Sequence, residues 1–231
     1  MAAMQEMGST DVWERRWRWG GVAFVALMVA WVITIIAIDP AAFDSTDEEI
    51  RAFFDPESGD SGAVVVGGVI LGLAIVAFLG FLGALRSILR RAEGGTGRLS
   101  AVAFGGGILV AGVLLLLNSI TMGIALAVAF EDIAVDPAAY RLVDSVFFGL
   151  LMNLGIAASV LIAATSIVAM RTGLFPSWLT WGGIVVAVLA VFSFVLFGLP
   201  LLFVLVWVLV ASLMLPTAPP AARPATMGGP A

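Results

Sequence analysis

The chain has 231 residues and contains no cysteine, no histidine and no lysine, so all 11 of its basic residues are arginine. The lack of cysteine excludes disulfides and thiol nucleophiles. The lack of histidine as well removes imidazole bases and the commonest protein ligands of zinc and haem. A serine or threonine nucleophile would need a carboxylate or the N-terminal amine as its base. We therefore expect a protein that is not an enzyme and has neither cofactor nor metal site.

Charged residues are also scarce, at 12% of the chain, whereas hydrophobic residues make up 61%. Soluble domains average about 25% charged and roughly 45–50% apolar residues. So few charges could not cover the surface of a soluble domain, so lipid must solvate much of this chain. The sequence predicts an all-α, polytopic membrane helix bundle with a single compact transmembrane domain over residues 20–215.

Six apolar stretches are candidates to cross the roughly 30 Å hydrocarbon core. They cover residues 20–38, 63–85, 101–130, 142–170, 178–197 and 200–215. The last two are separated at Gly198-Leu199-Pro200, because one helix over 178–215 would be about 57 Å long. A retained first helix is favoured over a cleaved signal peptide, since residues 20–38 exceed a usual signal core and no small-x-small cleavage site follows.

The charges alternate in sign between these stretches. With the N-terminus inside, nine of the 11 arginines lie on cytoplasmic segments, all except Arg51 and Arg141, and 12 of the 16 acidic residues lie outside. This positive-inside pattern predicts six transmembrane helices with both termini cytoplasmic. Five spans with an external C-terminus is the alternative, because Arg223 alone supports the last crossing. The arginines would contact anionic lipid, and they are too few to indicate nucleic-acid binding.

The segments outside the spans also have recognisable compositions. Residues 1–19 form a cytoplasmic interfacial segment, and residues 216–231 form a tail rich in Pro, Ala and Gly that we expect to be disordered. Tryptophan favours the lipid headgroup region. The predicted interface anchors are Trp13, Trp17, Trp19, Trp178 and Trp181.

The first external loop, residues 39–62, is acidic. Its Ser45-Thr46-Asp47-Glu48 segment has capping-box spacing and predicts a short helix over Thr46–Phe54, with its apolar side on the membrane or the bundle. The run Asp55–Asp60 lacks the alternating ligands of an EF-hand loop, so a solvated loop is favoured over a calcium site.

Three helix ends carry their own signals. Ser100 is the expected N-cap of the third span. Asp136 and Pro137 form an N-cap and first-position pair for the fourth span, which Arg171 and Gly173 close.

Small residues recur every four positions on three of the spans, where they would let helix backbones approach closely. Packing is favoured over the sliding surface of a transporter. The stripes consist of Gly68, Gly72, Gly80 and Ala84, of Ala103, Gly107 and Ala111, and of Gly155, Ser159 and Ala163.

Three polar residues in or near the spans are candidates for ligand binding. Asn118 and Asn153 are equidistant from the centre of the loop between the third and fourth spans, so they would lie at one depth and could pair as polar glue between helices. Alternatively, the pair lines a cavity for a polar headgroup or a small solute, together with Ser119, Thr121 and Ser159. Asp144 follows Arg141 by three residues, which favours an ion pair at the interface over a proton relay.

Two segments of this chain resemble segments of a known group of membrane proteins. They are the hairpin Arg171-Thr-Gly-Leu-Phe-Pro176-Ser-Trp178-Leu-Thr-Trp181-Gly-Gly183 and the loop segment Asp-Glu-Glu-Ile-Arg-Ala-Phe-Phe (47–54). The chain is similar to uncharacterised multi-pass membrane proteins of high-GC bacteria, a family of unknown function, and the arginine-only composition fits such a genome. The resemblance implies a six-helix protein of the bacterial inner membrane and supplies no site residues.

Two functional hypotheses follow from the sequence. The first is a non-enzymatic structural or interaction protein of the cell envelope, partnered by lipid and by a second copy or another membrane protein. The alternative is a binder or facilitator of a lipid or small apolar solute, with a cavity near Asn118 and Asn153. A dry interhelical core would favour the first, and an open cleft reaching Asn118 would favour the second.

Overall fold

The computed structural model describes the backbone of residues 2–38, 45–55, 60–131, 135–196 and 198–215, and within these it omits the side chains of residues 2–18, 60, 61, 129 and 131. Seven α-helices and no strand are present in these ranges, as the sequence predicts. They are α1 (Ala2–Ile38), α2 (Asp47–Phe53), α3 (Asp60–Glu93), α4 (Arg98–Glu131), α5 (Pro137–Thr172), α6 (Ser177–Val191) and α7 (Leu199–Met214).

Four of the helices are long and apolar enough to cross a membrane: part of α1, and nearly all of α3, α4 and α5. The helices α6 and α7 are apolar but have only 15 and 16 residues. At 1.5 Å per residue each is about 23 Å long, less than the roughly 30 Å hydrocarbon core. Within the described ranges, four helices are therefore of spanning length, where the sequence predicts six spans.

Helix α3 packs against α1, α4 and α5, and α5 packs in turn against α6. Helix α7 closes the bundle against α1 and α6. The core between α1 and α3 contains aromatic rings in contact, with the Phe24 and Phe78 centroids 4.9 Å apart and the ring planes tilted by 45°. The side chain of Arg86 on α3 lies 4.4 Å over the ring of Phe104 on α4.

Successive long helices run in opposite directions, so the bundle has two ends of different composition. The end at which α1 and α4 finish and α3 and α5 begin also carries α2, and we call it the α2 end. At the other end lie Arg90, Arg91, Arg98 and Arg171, and we call it the arginine end.

The turn between α3 and α4 differs from the sequence prediction for Ser100. Helix α4 begins at Arg98, so Ser100 lies inside its first turn, and its hydroxyl donates to the carbonyl of Gly97 at 2.8 Å. The cap is the carboxylate of Glu93, which accepts from the backbone N–H groups of Leu99 at 2.9 Å and Ser100 at 2.8 Å. A carboxylate suits this position because the N-terminus of a helix carries free N–H donors and positive partial charge.

The predicted signals at both ends of α5 are confirmed. The Asp136 side chain accepts from the backbone N–H of Ala138, and Pro137 opens α5. Gly173 ends α5 with φ of 71°, and Gly198 precedes α7 with φ of 75°. Both angles lie in the left-handed region that favours glycine. Gly198 precedes α7 at the predicted break, but α6 ends at Val191 and not at residue 197.

Candidate functional site: a cavity at the α2 end

A cavity of about 350 Å³ opens between α1 and α5 at the α2 end of the bundle. Helices α3 and α4 also contribute to its wall, and α2 lies across it. The lining is almost entirely apolar, and the volume falls within the range of small-molecule sites, about 300–1,000 Å³. The bundle therefore does not close into a uniformly packed core at this end.

Five aromatic side chains line the cavity. Trp31 comes from α1, Phe53 and Phe54 from the end of α2, and Tyr140 and Phe147 from α5. The rings of Phe53 and Phe54 meet edge to face with centroids 4.9 Å apart, and Phe54 meets Tyr140 in the same way at 5.1 Å. Such edge contacts place the positive rim of one ring on the negative face of the next, which fixes the rings in position.

Helix α2 forms because its N-terminus is fully capped. Thr46 accepts from the backbone N–H of Glu49, and the Glu49 carboxylate accepts from the backbone N–H of Thr46 at 2.7 Å. This is a capping box, one residue later than the Ser45 register that the sequence suggested. Hydrogen bonding of the carboxylate, first to the Thr46 backbone N–H and then to the Thr46 side chain, stabilises the ionised form and holds the pKa of Glu49 below its usual range.

Helix α2 is fixed to the bundle by an apolar contact and a charged one. Ile50 is fully buried. The Nη2 atom of Arg141 on α5 donates to the carbonyl of Ser45 at 2.8 Å and to Oδ1 of Asp47 at 2.7 Å. The ion pair predicted between Arg141 and Asp144 is therefore wrong: the guanidinium reaches across to α2 rather than along its own helix.

Asp144 lines the cavity from α5, one turn beyond Tyr140. Within the described part of the chain, its carboxylate has neither a hydrogen bond nor an ion pair, since the nearby Arg141 bonds to α2. No three acidic side chains of the described residues gather into a group that could hold a metal ion. The cavity thus combines apolar and aromatic walls with a carboxylate that lacks a described partner.

The predicted pair of asparagines does not form. Asn118 faces α3, where its Oδ1 atom would lie 3.2 Å from a Cβ built on Gly68, and that buried oxygen has no hydrogen-bond partner. Asn153 is exposed and donates to the carbonyl of Gly149 in its own helix at 2.8 Å. Equal depth places two residues at one level but leaves their directions around the helix free. Neither side chain lines the cavity, although Thr121, one turn from Asn118, does.

The small residues lie where helices touch. A Cβ on Gly68 would collide with Met122 of α4, one on Gly107 with Leu82 of α3, and one on Gly155 with Ser193 beyond α6. Gly72 is less tight, with Asn118 at 3.9 Å. Ser159 is buried and donates to the carbonyl of Ile156 in its own helix at 2.7 Å. These residues set helix spacing and do not line the cavity.

The tryptophans predicted as interface anchors fall into two groups. Trp19, Trp178 and Trp181 are exposed on the outside of the bundle, by 52%, 59% and 64%. Trp178 and Trp181 lie in the first turns of α6, at the arginine end. Trp13 and Trp17 belong to α1, and their side chains lie outside the described residues, as do residues 39–44, 56–59 and 216–231 of the loop and tail predictions.

Reasoning from the sequence identified Asp144 but missed most of its surroundings. In the sequence, nothing distinguishes Trp31, Tyr140 and Phe147 from other residues of apolar helices. Their spacing does not indicate a cavity. Phe53 and Phe54 were placed on the apolar side of α2, and the structure directs that side to the bundle. The signal that could have located the site is the meeting of aromatic residues near the same ends of α1, α2 and α5.

Comparison with known proteins identifies no relative: no family model, no curated protein and no solved structure matches this chain.

Proposed function

We propose that this chain is an integral membrane protein that binds an apolar or amphipathic small molecule in the cavity at the α2 end. The observation that carries the proposal is the cavity itself, about 350 Å³ in volume and lined by residues from five helices. The volume of the cavity favours ligand binding over the purely structural role that the sequence also allows, because well-packed helix bundles leave few voids larger than a water molecule.

The surroundings of the cavity support an occupant that arrives from the membrane. Large apolar side chains are exposed over the outside of the bundle, including Val29 and Ile33 of α1 and Val146 of α5. Such a surface is compatible with lipid rather than water. An alkyl chain dissolved in the bilayer would reach the cavity without passing through solvent, so it would keep the roughly 0.8 kcal/mol per methylene group that it gained on leaving water.

The proposed placement in the membrane is a bacterial plasma membrane, with the arginine end cytoplasmic and the α2 end external. The arginines at one end and the acidic residues of α2 at the other support it by the positive-inside rule. In this placement α6 and α7 form a pair of short crossings. The chain has no cysteine, so single cysteines at Thr96 and Ser45 can be labelled with an impermeant maleimide in whole cells. Labelling of Ser45→Cys but not Thr96→Cys is expected, and the reverse pattern contradicts the orientation.

The binding proposal is tested with a neutral photoreactive probe, a ten-carbon alcohol carrying a diazirine, on the full chain in nanodiscs. We expect saturable labelling of the peptides that contain Trp31 and Phe147, competed by unlabelled decanol. Labelling of outward-facing positions should increase in proportion to the probe concentration, because it reflects ordinary lipid contact.

Two substitutions on α5 provide the matched comparison. Val143 lines the cavity, whereas Val146 is exposed and does not line it. Val143→Phe should fill part of the cavity and reduce the saturable labelling, and Val146→Phe should leave it unchanged. Labelling that never saturates, or that is equal in the two variants, contradicts the proposed function.

A further inference from the structure

We infer that the ligand held in this cavity carries a net positive charge, as an amine or quaternary ammonium group attached to an apolar body. The inference rests on the proposed function, since it assumes that the cavity is a binding site. It adds the chemical class of the ligand, which the volume and the apolar walls alone do not give.

Among the described residues that line the cavity, Asp144 is the one that is charged. Its carboxylate makes no hydrogen bond or ion pair with another described residue. A carboxylate against apolar walls is costly unless it is paired. A ligand cation would supply the missing partner.

Arg141 is the basic residue nearest to Asp144 along α5. Its Nη2 atom is held at 2.7 Å from Asp47 and 2.8 Å from the carbonyl of Ser45, both on the α2 side. The positive charge is thereby neutralised by Asp47 rather than by Asp144. With Arg141 bonded there, the Asp144 carboxylate has no cationic partner among the described residues.

Aromatic rings line the same cavity as Asp144. They belong to Trp31, Phe54, Tyr140 and Phe147. The faces of aromatic rings carry negative electrostatic potential and attract organic cations, most strongly where water is excluded. A cavity that is lined by aromatic rings and by a carboxylate is therefore complementary to an alkylammonium group and unfavourable for an anion.

The same complementarity separates a net cation from the headgroup of a phospholipid. Headgroups with an ammonium group also contain a phosphate, and that phosphate would lie within a few ångströms of the ammonium. No lining residue among those described offers a positive charge to it. A singly charged amphiphile that is free in the bilayer fits better than a zwitterionic lipid.

The test uses three probes that share a ten-carbon chain: decyltrimethylammonium, decylphosphocholine and decyl sulfate. Each is titrated below its micelle concentration into nanodiscs with and without the full chain, and binding is followed by calorimetry. We expect the cation to bind about ten- to thirtyfold more tightly than the other two, the range of a desolvated cation–π contact, because a trimethylammonium group has no N–H to donate. Asp144→Asn should remove most of this preference.

A matched variant controls for the overall charge of the protein. Glu48→Gln removes one negative charge from exposed α2 and does not alter the cavity lining. It should preserve the preference for the cation. Equal binding of the three probes, tightest binding of the zwitterion or the anion, or an unchanged preference in Asp144→Asn overturns the inference. Saturable labelling by the neutral photoprobe together with any of these results would leave the proposed function intact, whereas loss of that labelling removes both.

Discussion

Three consecutive glycines on α4 should respond very differently to the same small substitution. Gly105 has nothing within 4 Å of the position that a Cβ would take. At Gly106 the added carbon would lie 2.6 Å from the backbone nitrogen of Leu161 on α5, and at Gly107 it would collide with the Leu82 side chain of α3. One extra methyl group therefore meets open space, a backbone or a movable side chain.

The expected free energies follow from these surroundings. Alanine in place of glycine stabilises a helix by about 0.8–1 kcal/mol, so Gly105→Ala should be neutral or slightly stabilising. Gly106→Ala needs about 0.8 Å more space, since ordinary contact begins near 3.4 Å. A gap of that size loses a quarter to a half of the attraction in each α4–α5 contact. We expect a net destabilisation of about 1–3 kcal/mol.

Gly107→Ala should lie between the two, because the ends of the Leu82 side chain can rotate away whereas the α5 backbone cannot. The assay is reversible unfolding of the purified protein in mixed micelles with increasing sodium dodecyl sulfate, followed by tryptophan fluorescence. The unfolding free energies should decrease in the order Gly105→Ala, Gly107→Ala, Gly106→Ala. Equal destabilisation by all three, or a larger effect at Gly105, would refute the packing described between α4 and its neighbours.

Two further predictions concern carboxylates that cap helices. Glu93→Ala should destabilise the protein by about 1 kcal/mol in the same unfolding assay, because the N–H groups of Leu99 and Ser100 lose their acceptor. Glu93→Gln should have an intermediate effect. An unfolding free energy that does not change in Glu93→Ala would contradict the cap. The pKa of Glu49 is lowered by its hydrogen bonds to Thr46, so its contribution to α2 is complete above the ordinary value of 4.5 and is lost as the pH falls through the lowered pKa. A carbon-13 NMR titration of the Glu49 carboxyl should show this lowered pKa, Thr46→Ala should raise it, and a titration at the ordinary value in both proteins would show that the capping box is absent.

The helices could be predicted from the sequence because their signals are local. Composition and apolar run length require helices in lipid, since only helices and closed barrels satisfy the backbone there. Asp136 with Pro137, Gly173 and Gly198 each act within one turn of their own position, and the structure has all of them in the expected roles. Ser100 was misassigned because its competitor, Glu93, lies on the preceding helix, and a cap supplied across a turn leaves no fixed spacing in the sequence.

The site could be predicted only in part, because its geometry depends on directions around the helices. Equal depth suggested a pair between Asn118 and Asn153, yet one faces α3 and the other faces outward. Adjacent glycines show the same limit. Gly106 and Gly107 differ by one position and contact α5 and α3 respectively, so spacing alone identified only the second.

Arg141 pairs with Asp47 instead of the predicted Asp144, and this bears on the proposed binding of a cation at Asp144. A pair with Asp144 at i,i+3 would contribute only a few tenths of a kcal/mol on a helix surface. Bonding to Asp47 and to the Ser45 carbonyl gives Arg141 two acceptors and joins α2 to the bundle, where Ile50 is buried at the same time. The tertiary arrangement therefore wins over the local pair. Its consequence is that Asp144 faces the aromatic cavity without that cation, which is the property that makes a ligand cation its expected partner.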